Sequence, residues 1–407
     1  MFSKVKNYCK ENGVFKTIKY VIKGAKNRVV QKVNCFKSTH SKVGNVKDYD
    51  SSQKKVYMFA CVPYFDVGGG QRSASLSKAF KKLGYNIVYL YALPTSESKI
   101  YKLDYPTVVH KYIKKYNIKE FEKTLNKDDL VIFEMPIDLY LPYLKIAKNK
   151  CKTVYENIDN WEDNLGNRFF NKNVLKEFLE CDVLTSTATL LKKQMEDNLK
   201  MNKMKKEVLY LPNAVNDELF NPKLDYEKPS DLISGDKTLL YYGSLWLDCF
   251  DWEIIKNVAK SNENYSINLI GDDKMLGNKK DNLPKNIHFL GLKKQTELPA
   301  YLKYSDYAMY PFKIDETGAY VSPLKIFEYI SMQKQILSTD SEEIKSYPGV
   351  YCSDDYKKWI EVIERKNKYD KEKASDFINK NNWISRCKSL IDAFEKIKSA
   401  KCEVNPK

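Results

Sequence analysis

Five carboxylates follow two neighbouring apolar runs of the chain, which read LVIFE over 130–134 and TVYE over 153–156. They are Glu134, Glu156, Asp159, Glu162 and Asp163. A carboxylate within hydrogen-bond reach of a hydroxyl group can remove its proton, so this group is a candidate for general-base chemistry. Acids that follow strands also cap helices, and the residue pattern leaves both roles open for Asp159.

A lysine and a glutamate stand three residues apart in the stretch SPLKIFEY, residues 322–329. Proline is favoured at the first position of a helix and serine is a good N-cap, so we expect a helix that begins at Pro323 with Ser322 as its cap. Lys325 and Glu328 then lie one turn apart. The alternative is an i,i+3 ion pair on a solvated helix, which contributes roughly 0.2–0.5 kcal/mol.

Glycines follow two further apolar runs. Gly68, Gly69 and Gly70 stand with Gln71 between the run 56–62 and a helical pattern, and Gly243 precedes Ser244 after the run 238–242. Glycine lets the backbone approach another surface closely, and a helix start offers unpaired N–H groups to an anion or a hydroxyl-rich ligand. The Gly-x-Gly-x-x-Gly spacing of a dinucleotide site is absent, and a tight turn without a ligand is the alternative.

The order of elements around these residues predicts how they are positioned. Apolar strands alternate with amphipathic helices, which is typical of doubly wound α/β domains. The alternation is broken by LPNAVNDELF and the polar stretch 222–237, and then resumes. We therefore expect an α/β fold of two Rossmann-like domains that face each other across a cleft, with an arm at 1–50, domains at 51–215 and 216–382, and a final helix at 383–407 that returns to the first domain. The predicted strands are 56–62, 87–92, 130–134, 153–156, 182–186, 207–211, 238–242, 266–270, 287–290, 307–310 and 335–338.

The charge of the chain is concentrated in its N-terminal arm. The 407 residues carry a formal net charge of +16, and residues 1–47 hold twelve Lys or Arg against the single acid Glu11. Apolar residues of the arm follow one helical face, which suits the surface of an anionic membrane. A solvated helix packed on the body and a nucleic-acid arm are the alternatives, although no nucleic-acid-binding motif accompanies the charge.

The cysteines and the hydropathy pattern indicate the compartment. Nine scattered cysteines without a C-x-x-C pair favour a reducing environment over a disulfide scaffold or a zinc ribbon. No apolar run approaches the roughly 20 residues of a membrane span, and no signal-peptide pattern is present. We expect a cytoplasmic protein held at the inner face of the membrane by its arm.

Four segments resemble a known family. The loop Gly68 to Gln71, the crossing LYLPNAVNDELFNP, the turn YYGSLWLDCFDWEII and the stretch SPLKIFEYISMQKQILST are similar to the corresponding motifs of GT-B nucleotide-sugar glycosyltransferases. The resemblance covers roughly residues 55 to 400 and is strongest to bacterial capsule and exopolysaccharide enzymes, like those of glycosyltransferase family 4.

The resemblance implies roles for particular residues. Glu328 would accept hydrogen bonds from the ribose hydroxyls of a nucleotide-sugar donor, and Lys325 would balance the negative charge of its diphosphate. We expect this donor to be a UDP-sugar. The implied donor-binding set is Gly243, Ser244, Trp246, Ser322, Pro323, Leu324, Lys325 and Glu328. The loop Gly68, Gly69, Gly70 and Gln71 would bind a glycan or lipid-linked acceptor. Asp159 is the first choice for the base, followed by Asp163 and Glu134.

Two departures from the family pattern limit what the resemblance implies. Tyr320 stands where the first of two paired glutamates is usual, and Trp246, Asp248 and Asp251 stand where an Arg and a Lys usually hold the diphosphate. Both leave the stereochemistry open. We expect no cofactor, no essential metal and no nucleic-acid partner. A sugar-nucleotide epimerase of the same fold and a non-catalytic polysaccharide or nucleic-acid binding protein are the alternative functions.

Overall fold

The computed structural model describes residues 53–64, 71–94, 109–163, 170–245, 249–273, 276–280, 282–313, 320–365 and 369–404. The basic arm at 1–50, the glycines Gly68 to Gly70 and Trp246 lie outside these residues. The roles predicted for them remain predictions.

The first domain is built on a sheet of seven parallel strands in the order β3-β2-β1-β4-β5-β6-β7. All six residues of β1 and all six of β2 are buried, as expected for strands covered on both faces. The strands are β1 Lys55–Ala60, β2 Asn86–Tyr91, β3 Val109–Tyr112, β4 Leu130–Phe133, β5 Lys152–Asn157, β6 Val183–Ser186 and β7 Val208–Tyr210.

Between these strands the described residues include the helices α1 Arg72–Lys82, α2 Ile118–Thr124, α3 Leu141–Lys148, α4 Lys172–Phe178 and α5 Thr189–Met201. The helix predicted after the glycine loop is α1, and it ends as the sequence indicates. Gly84 has φ +88°, and the N–H of Tyr85 donates to the carbonyl of Phe80, which is a glycine-terminated helix end.

The second domain repeats this plan with six parallel strands in the order β10-β9-β8-β11-β12-β13. Its strands are β8 Lys237–Tyr242, β9 Tyr265–Ile270, β10 Ile287–Gly291, β11 Tyr307–Tyr310, β12 Gln335–Ser338 and β13 Val350–Cys352. Its helices are α6 Trp252–Ser261, α7 Leu298–Lys303, α8 Leu324–Ser331, α9 Tyr356–Glu364 and α10 Lys371–Lys380. Each of the two sheets has its own buried apolar core.

The chain passes between the domains twice, at adjacent places. The N–H of Val215 donates to the carbonyl of Asn381 at 3.1 Å, and the N–H of Trp383 donates to the carbonyl of Val215 at 3.4 Å. The second passage leads into the last helix, α11 Trp383–Val404. Trp383, Cys387, Leu390 and Phe394 of α11 are buried in the core of the first domain.

The structure confirms the predicted α/β class and the eleven predicted strands, with boundaries that differ by one or two residues. Strands β3 and β13 were not predicted. Both are edge strands: His110 and Lys111 interrupt the apolar residues of β3, and β13 is an apolar run of only three residues. No helix in the described part of the chain has the length and hydropathy that a membrane crossing requires.

Candidate functional site

Glu328 lies on the second turn of α8 and is 8% exposed. Its two carboxylate oxygens accept hydrogen bonds from different elements. Tyr242, the last residue of β8, donates its hydroxyl to Oε2 at 2.5 Å, and Gln295, which follows β10, donates Nε2 to Oε1 at 3.2 Å. Burial raises the pKa of the Glu328 carboxyl to about 7, although the bonds from Tyr242 and Gln295 oppose this rise.

Lys325 lies one turn before Glu328, with its ammonium group among aromatic rings. Nζ is 5.0 Å from the ring centroids of Tyr241 and Phe312 and 5.6 Å from that of Tyr310. Burial lowers the pKa of Lys325 to about 8, against the attraction of Glu328. Glu328 is buried and bonded to Tyr242 and Gln295, so the predicted alternative of an i,i+3 ion pair on a solvated helix is wrong.

Gly243 gives Lys325 its space. A Cβ atom at this position would lie 2.8 Å from Lys325 Nζ and 2.8 Å from the Tyr241 hydroxyl, and φ is +139°. At the end of the neighbouring strand, a Cβ on Gly271 would lie 2.2 Å from the Gly243 carbonyl oxygen. The ends of strands β8 and β9 therefore lie so close together that only glycine fits at these two positions. Ser244 accepts a hydrogen bond from the Tyr241 hydroxyl on its carbonyl oxygen at 3.0 Å.

The start of α8 differs from the prediction. Pro323 occupies the N-cap position, no side chain caps the helix, and Leu324 is its first residue. The prediction that Ser322 caps this helix is wrong, because the Ser322 hydroxyl accepts a hydrogen bond from the backbone N–H of Asn213 at 3.1 Å. Leu324 is partly buried and packs against the core of the first domain.

The candidate bases after β5 lie near the surface. Asp159 is partly buried, and its Oδ1 accepts a hydrogen bond from the N–H of Asn160 at 2.9 Å. Asp163 is exposed, and its Oδ2 accepts from Asn160 Nδ2 at 2.6 Å. Asp159 stands two residues before the helical residues 161–163 and remains partly accessible.

Glu134 differs from these two acids because it is buried, with 1% of its surface exposed. Its Oε2 accepts a hydrogen bond from the N–H of Cys61 at 3.1 Å. Burial and the nearby Glu156 carboxylate raise the pKa of Glu134 to about 8. Glu134 is therefore largely protonated at neutral pH and lacks the access to solvent that Asp159 has.

A buried ion pair lies beside Glu134. Arg72, the first residue of α1, is 4% exposed and places Nη2 2.6 Å from Oε1 of the fully buried Glu156. Arg72 also donates Nη1 to the Pro212 carbonyl at 3.0 Å and to Asn213 Oδ1 at 3.2 Å. Gln71 occupies the N-cap position of α1 without a side-chain cap.

The crossing between the domains is held by a second buried arginine. Arg386 of α11 donates Nε to the Pro212 carbonyl at 2.8 Å and Nη2 to the Asn213 carbonyl at 3.1 Å. Burial and the proximity of Arg72 lower the pKa of Arg386 to about 10.

Several of these residues were not singled out in the sequence. Tyr242 and Gln295 hold the carboxylate, three rings surround the lysine, and Arg72, Asn213 and Arg386 join the domains. Tyr242 was detectable as the residue directly before Gly243. The other contacts join residues 13 to 174 positions apart, which no spacing rule connects.

The structure also bears on metal binding and on Asp251. Within the described ranges, no group of three or more His, Cys, Asp and Glu side chains could hold a metal ion.

Asp251 accepts hydrogen bonds from the N–H groups of Glu253 and Ile254, so it caps α6.

Comparisons with known proteins identify the fold. No family model matches the chain, and no curated protein matches it. Solved structures with a similar fold include a UDP-forming α,α-trehalose-phosphate synthase from Burkholderia xenovorans, with 11% identity over 85% of this chain and 100% of that chain and a TM-score of 0.60. HepE from Anabaena in complex with UDP has 10% identity over 84% and 100% of the two chains and a TM-score of 0.59. The lipopolysaccharide outer core galactosyltransferase WaaB has 13% identity over 84% and 99% and a TM-score of 0.55.

These likenesses extend over both domains and the cleft between them. The chain therefore has the GT-B fold of two Rossmann-like domains, as the sequence resemblance implied.

Proposed function

We propose that this protein is a glycosyltransferase that moves a sugar from a UDP-sugar to a glycan or lipid-linked acceptor in the synthesis of a cell-surface polysaccharide. The observation that carries the proposal is the arrangement of Lys325 and Glu328 on α8. They place a cation and a fixed hydrogen-bond acceptor one turn apart, beside the carboxyl ends of β8 and β9, where open α/β sheets bind nucleotides.

The proposed donor lies along this edge of the second sheet. The ribose hydroxyls donate to Glu328, which accepts at both oxygens and is already held in place by Tyr242 and Gln295. The diphosphate lies towards Lys325 and the first N–H groups of α8, where Gly243 and Gly271 keep the approach open. HepE, which shares the fold, has been solved with UDP and with UDP and glucose, and this supports a uridine nucleotide.

The candidate bases for the acceptor follow strands of the first sheet. Asp159 is accessible and follows β5 at the carboxyl edge of the first sheet, so it remains our first candidate for the base, with Asp163 next. Glu134 is the third candidate. Its buried, protonated carboxyl group suits the support of the adjacent backbone better than the removal of a proton.

The test is release of UDP from a panel of UDP-sugars by the purified full chain, with and without glycan acceptors. Glu328→Gln should weaken UDP binding and turnover by about 1–3 kcal/mol, the scale of a lost charged hydrogen bond. Glu364→Gln is the matched control, because Glu364 is a carboxylate of the same domain that accepts a hydrogen bond from Tyr265 away from α8.

Three results would contradict the proposal. Unchanged UDP affinity and rate in both Glu328→Gln and Lys325→Ala would remove the assigned donor site. Conversion of the sugar within the nucleotide, without an acceptor, would indicate an epimerase. Binding of UDP without release from any UDP-sugar would indicate a non-catalytic protein.

The proposal includes a membrane surface near the site. Residues 1–50 carry most of the excess positive charge, and each basic residue near an anionic surface contributes about 1 kcal/mol. A chain that lacks residues 1–50 should keep its UDP release but no longer sediment with vesicles that contain phosphatidylserine. Equal sedimentation with neutral vesicles, or without the arm, would remove the membrane and favour a soluble acceptor.

A further inference from the structure

Asn213, in the first crossing between the domains, uses all of its polar groups. Its backbone N–H donates to the Ser322 hydroxyl at 3.1 Å and its Nδ2 donates to the Ser322 carbonyl at 2.6 Å. Its Oδ1 accepts from Arg72 at 3.2 Å and its carbonyl accepts from Arg386 at 3.1 Å. One residue therefore bonds to both domains and to the returning helix.

The two partners of the Asn213 side chain stand at the starts of two helices. Arg72 is the first residue of α1, directly after the glycine loop, and Ser322 stands two residues before Leu324, the first residue of α8. A shift of the α8 start moves the Ser322 carbonyl that accepts from Asn213 Nδ2, and a rotation of the Asn213 amide moves the Oδ1 atom that accepts from Arg72. The helix that carries Lys325 and Glu328 is thus joined to the acceptor-side edge by two consecutive hydrogen bonds.

The chemistry of this connection requires an asparagine. An aspartate would accept from Arg72 but could not donate to the Ser322 carbonyl, and a glutamine would place its amide one methylene further away. The Arg72 end is also held firmly, because Arg72 pairs with Glu156 at 2.6 Å and lies over the ring of Trp383. A change at Asn213 therefore acts on a buried charged group and not on a flexible surface side chain.

Two buried guanidinium groups beside one another are costly to bury, since each loses its hydration and repels the other. Arg72 is 4% exposed and Arg386 is 6% exposed, and both donate to the Pro212 carbonyl. Apolar residues would pack two domains together without this arrangement. The buried arginines instead fix the positions of Pro212 and Asn213 by directional hydrogen bonds to their carbonyl oxygens, which an apolar contact would not provide.

We propose that Asn213 is a positioning residue that couples the donor helix α8 to the start of α1, so that binding of a nucleotide at α8 orders the acceptor-side edge. The choice of UDP as this nucleotide rests on the proposed function. The bond from Asn213 to Ser322 transmits the change, and the bond from Arg72 to Asn213 receives it.

Amide hydrogen exchange of the full chain with UDP as the probe tests this coupling. Saturating UDP should slow exchange in peptides from α8 and also in peptides that cover Arg72–Ser77, the latter by about fivefold or more, the lower end of typical coupling between sites. In Asn213→Asp, which cannot donate to the Ser322 carbonyl, and in Asn213→Leu, which has neither amide group, the slowing at Arg72–Ser77 should fall below about twofold while α8 remains protected.

A control variant completes the design. Glu343→Ala is the matched control, because Glu343 of the second domain accepts from the Thr189 N–H and the Tyr210 hydroxyl of the first domain at a different point. This control loses contacts between the domains but should keep the coupling.

The outcomes separate the coupling from the proposed function. Failure of UDP to bind the unchanged chain would overturn the proposed function, and with it the donor end of the coupling. UDP binding that protects α8 but not Arg72–Ser77 would overturn the coupling alone. Coupling that persists in Asn213→Asp and Asn213→Leu, or that is lost equally in Glu343→Ala, would show that Asn213 is only part of a packed interface.

Discussion

Replacing Tyr242 by phenylalanine removes a single oxygen atom, which lies 2.5 Å from Glu328 Oε2 at a buried site. A hydrogen bond to a charged group contributes about 1.5–3 kcal/mol, and one pKa unit corresponds to about 1.4 kcal/mol. The bond favours the ionised carboxylate, whose pKa is already raised to about 7 by burial. Tyr242→Phe should therefore raise the pKa of Glu328 by a further one to two units, roughly.

This shift sets the expected affinity for UDP. If the ionised form of Glu328 binds the ribose, half of the unchanged protein is competent at pH 7, whereas roughly 1–10% of the variant is. The dissociation constant at pH 7 should increase about five- to fiftyfold in Tyr242→Phe, and the increase should shrink to within about twofold near pH 9.5.

Calorimetric titration with UDP between pH 6.5 and pH 9.5 measures this effect. The ratio of the two dissociation constants is the useful quantity, because deprotonation of Lys325 near pH 8 weakens UDP binding in both proteins. Tyr329→Phe is the matched control, since the Tyr329 hydroxyl accepts from the N–H of Tyr242 and does not bond to the carboxylate. A ratio that does not change with pH, or an equal ratio in Tyr329→Phe, would refute the reasoning.

Three further changes test other parts of the molecule. Lys325→Met keeps an apolar stem among the aromatic rings, so it should leave the unfolding free energy nearly unchanged while UDP affinity falls about tenfold or more. Lys256→Met, at an exposed ion pair, is the control. Unchanged UDP affinity in Lys325→Met would contradict the assignment. Glu134→Gln should stabilise the protein by roughly a few kcal/mol at pH 8.5 and by little at pH 4.5. The reason is that the raised pKa of Glu134 makes the carboxyl group destabilising only as the pH rises from 4.5 towards 8. An equal change in the free energy of denaturant unfolding at both pH values would be inconsistent with this. Deleting residues 384–407 should uncover the core of the first domain and reduce the soluble fraction. A soluble, active 384–407 deletion would disprove the packing role of α11.

The sequence predicted the architecture well because it depends on local patterns. Buried strands such as β1 and β8 read as continuous apolar runs, and Gly84 marks a helix end through its own backbone. Lys325 and Glu328 were found because they lie three residues apart on one helix. Apolar runs, glycines at helix ends and short spacings on one helix can all be recognised in a single sequence.

The parts that were missed or misjudged depend on contacts between distant segments. Ser322 has the residue type of an N-cap, but its hydroxyl is taken by Asn213, which lies 109 residues earlier in the chain. Gln295 reaches Glu328 from a different loop, and Arg72 reaches Glu156 across the first sheet. A residue type indicates which bonds a side chain can form, whereas only the folded chain decides which of them it forms.

The paired crossings at Val215 and Trp383 have a consequence for synthesis of the chain. The second domain is inserted between the strands of the first domain and the last helix that completes its core. At about 5–20 residues per second, translation of the inserted domain takes roughly ten to thirty seconds. During that time α1 is present without the α11 residues that cover Leu76, so the newly made first domain exposes an apolar face until the end of synthesis.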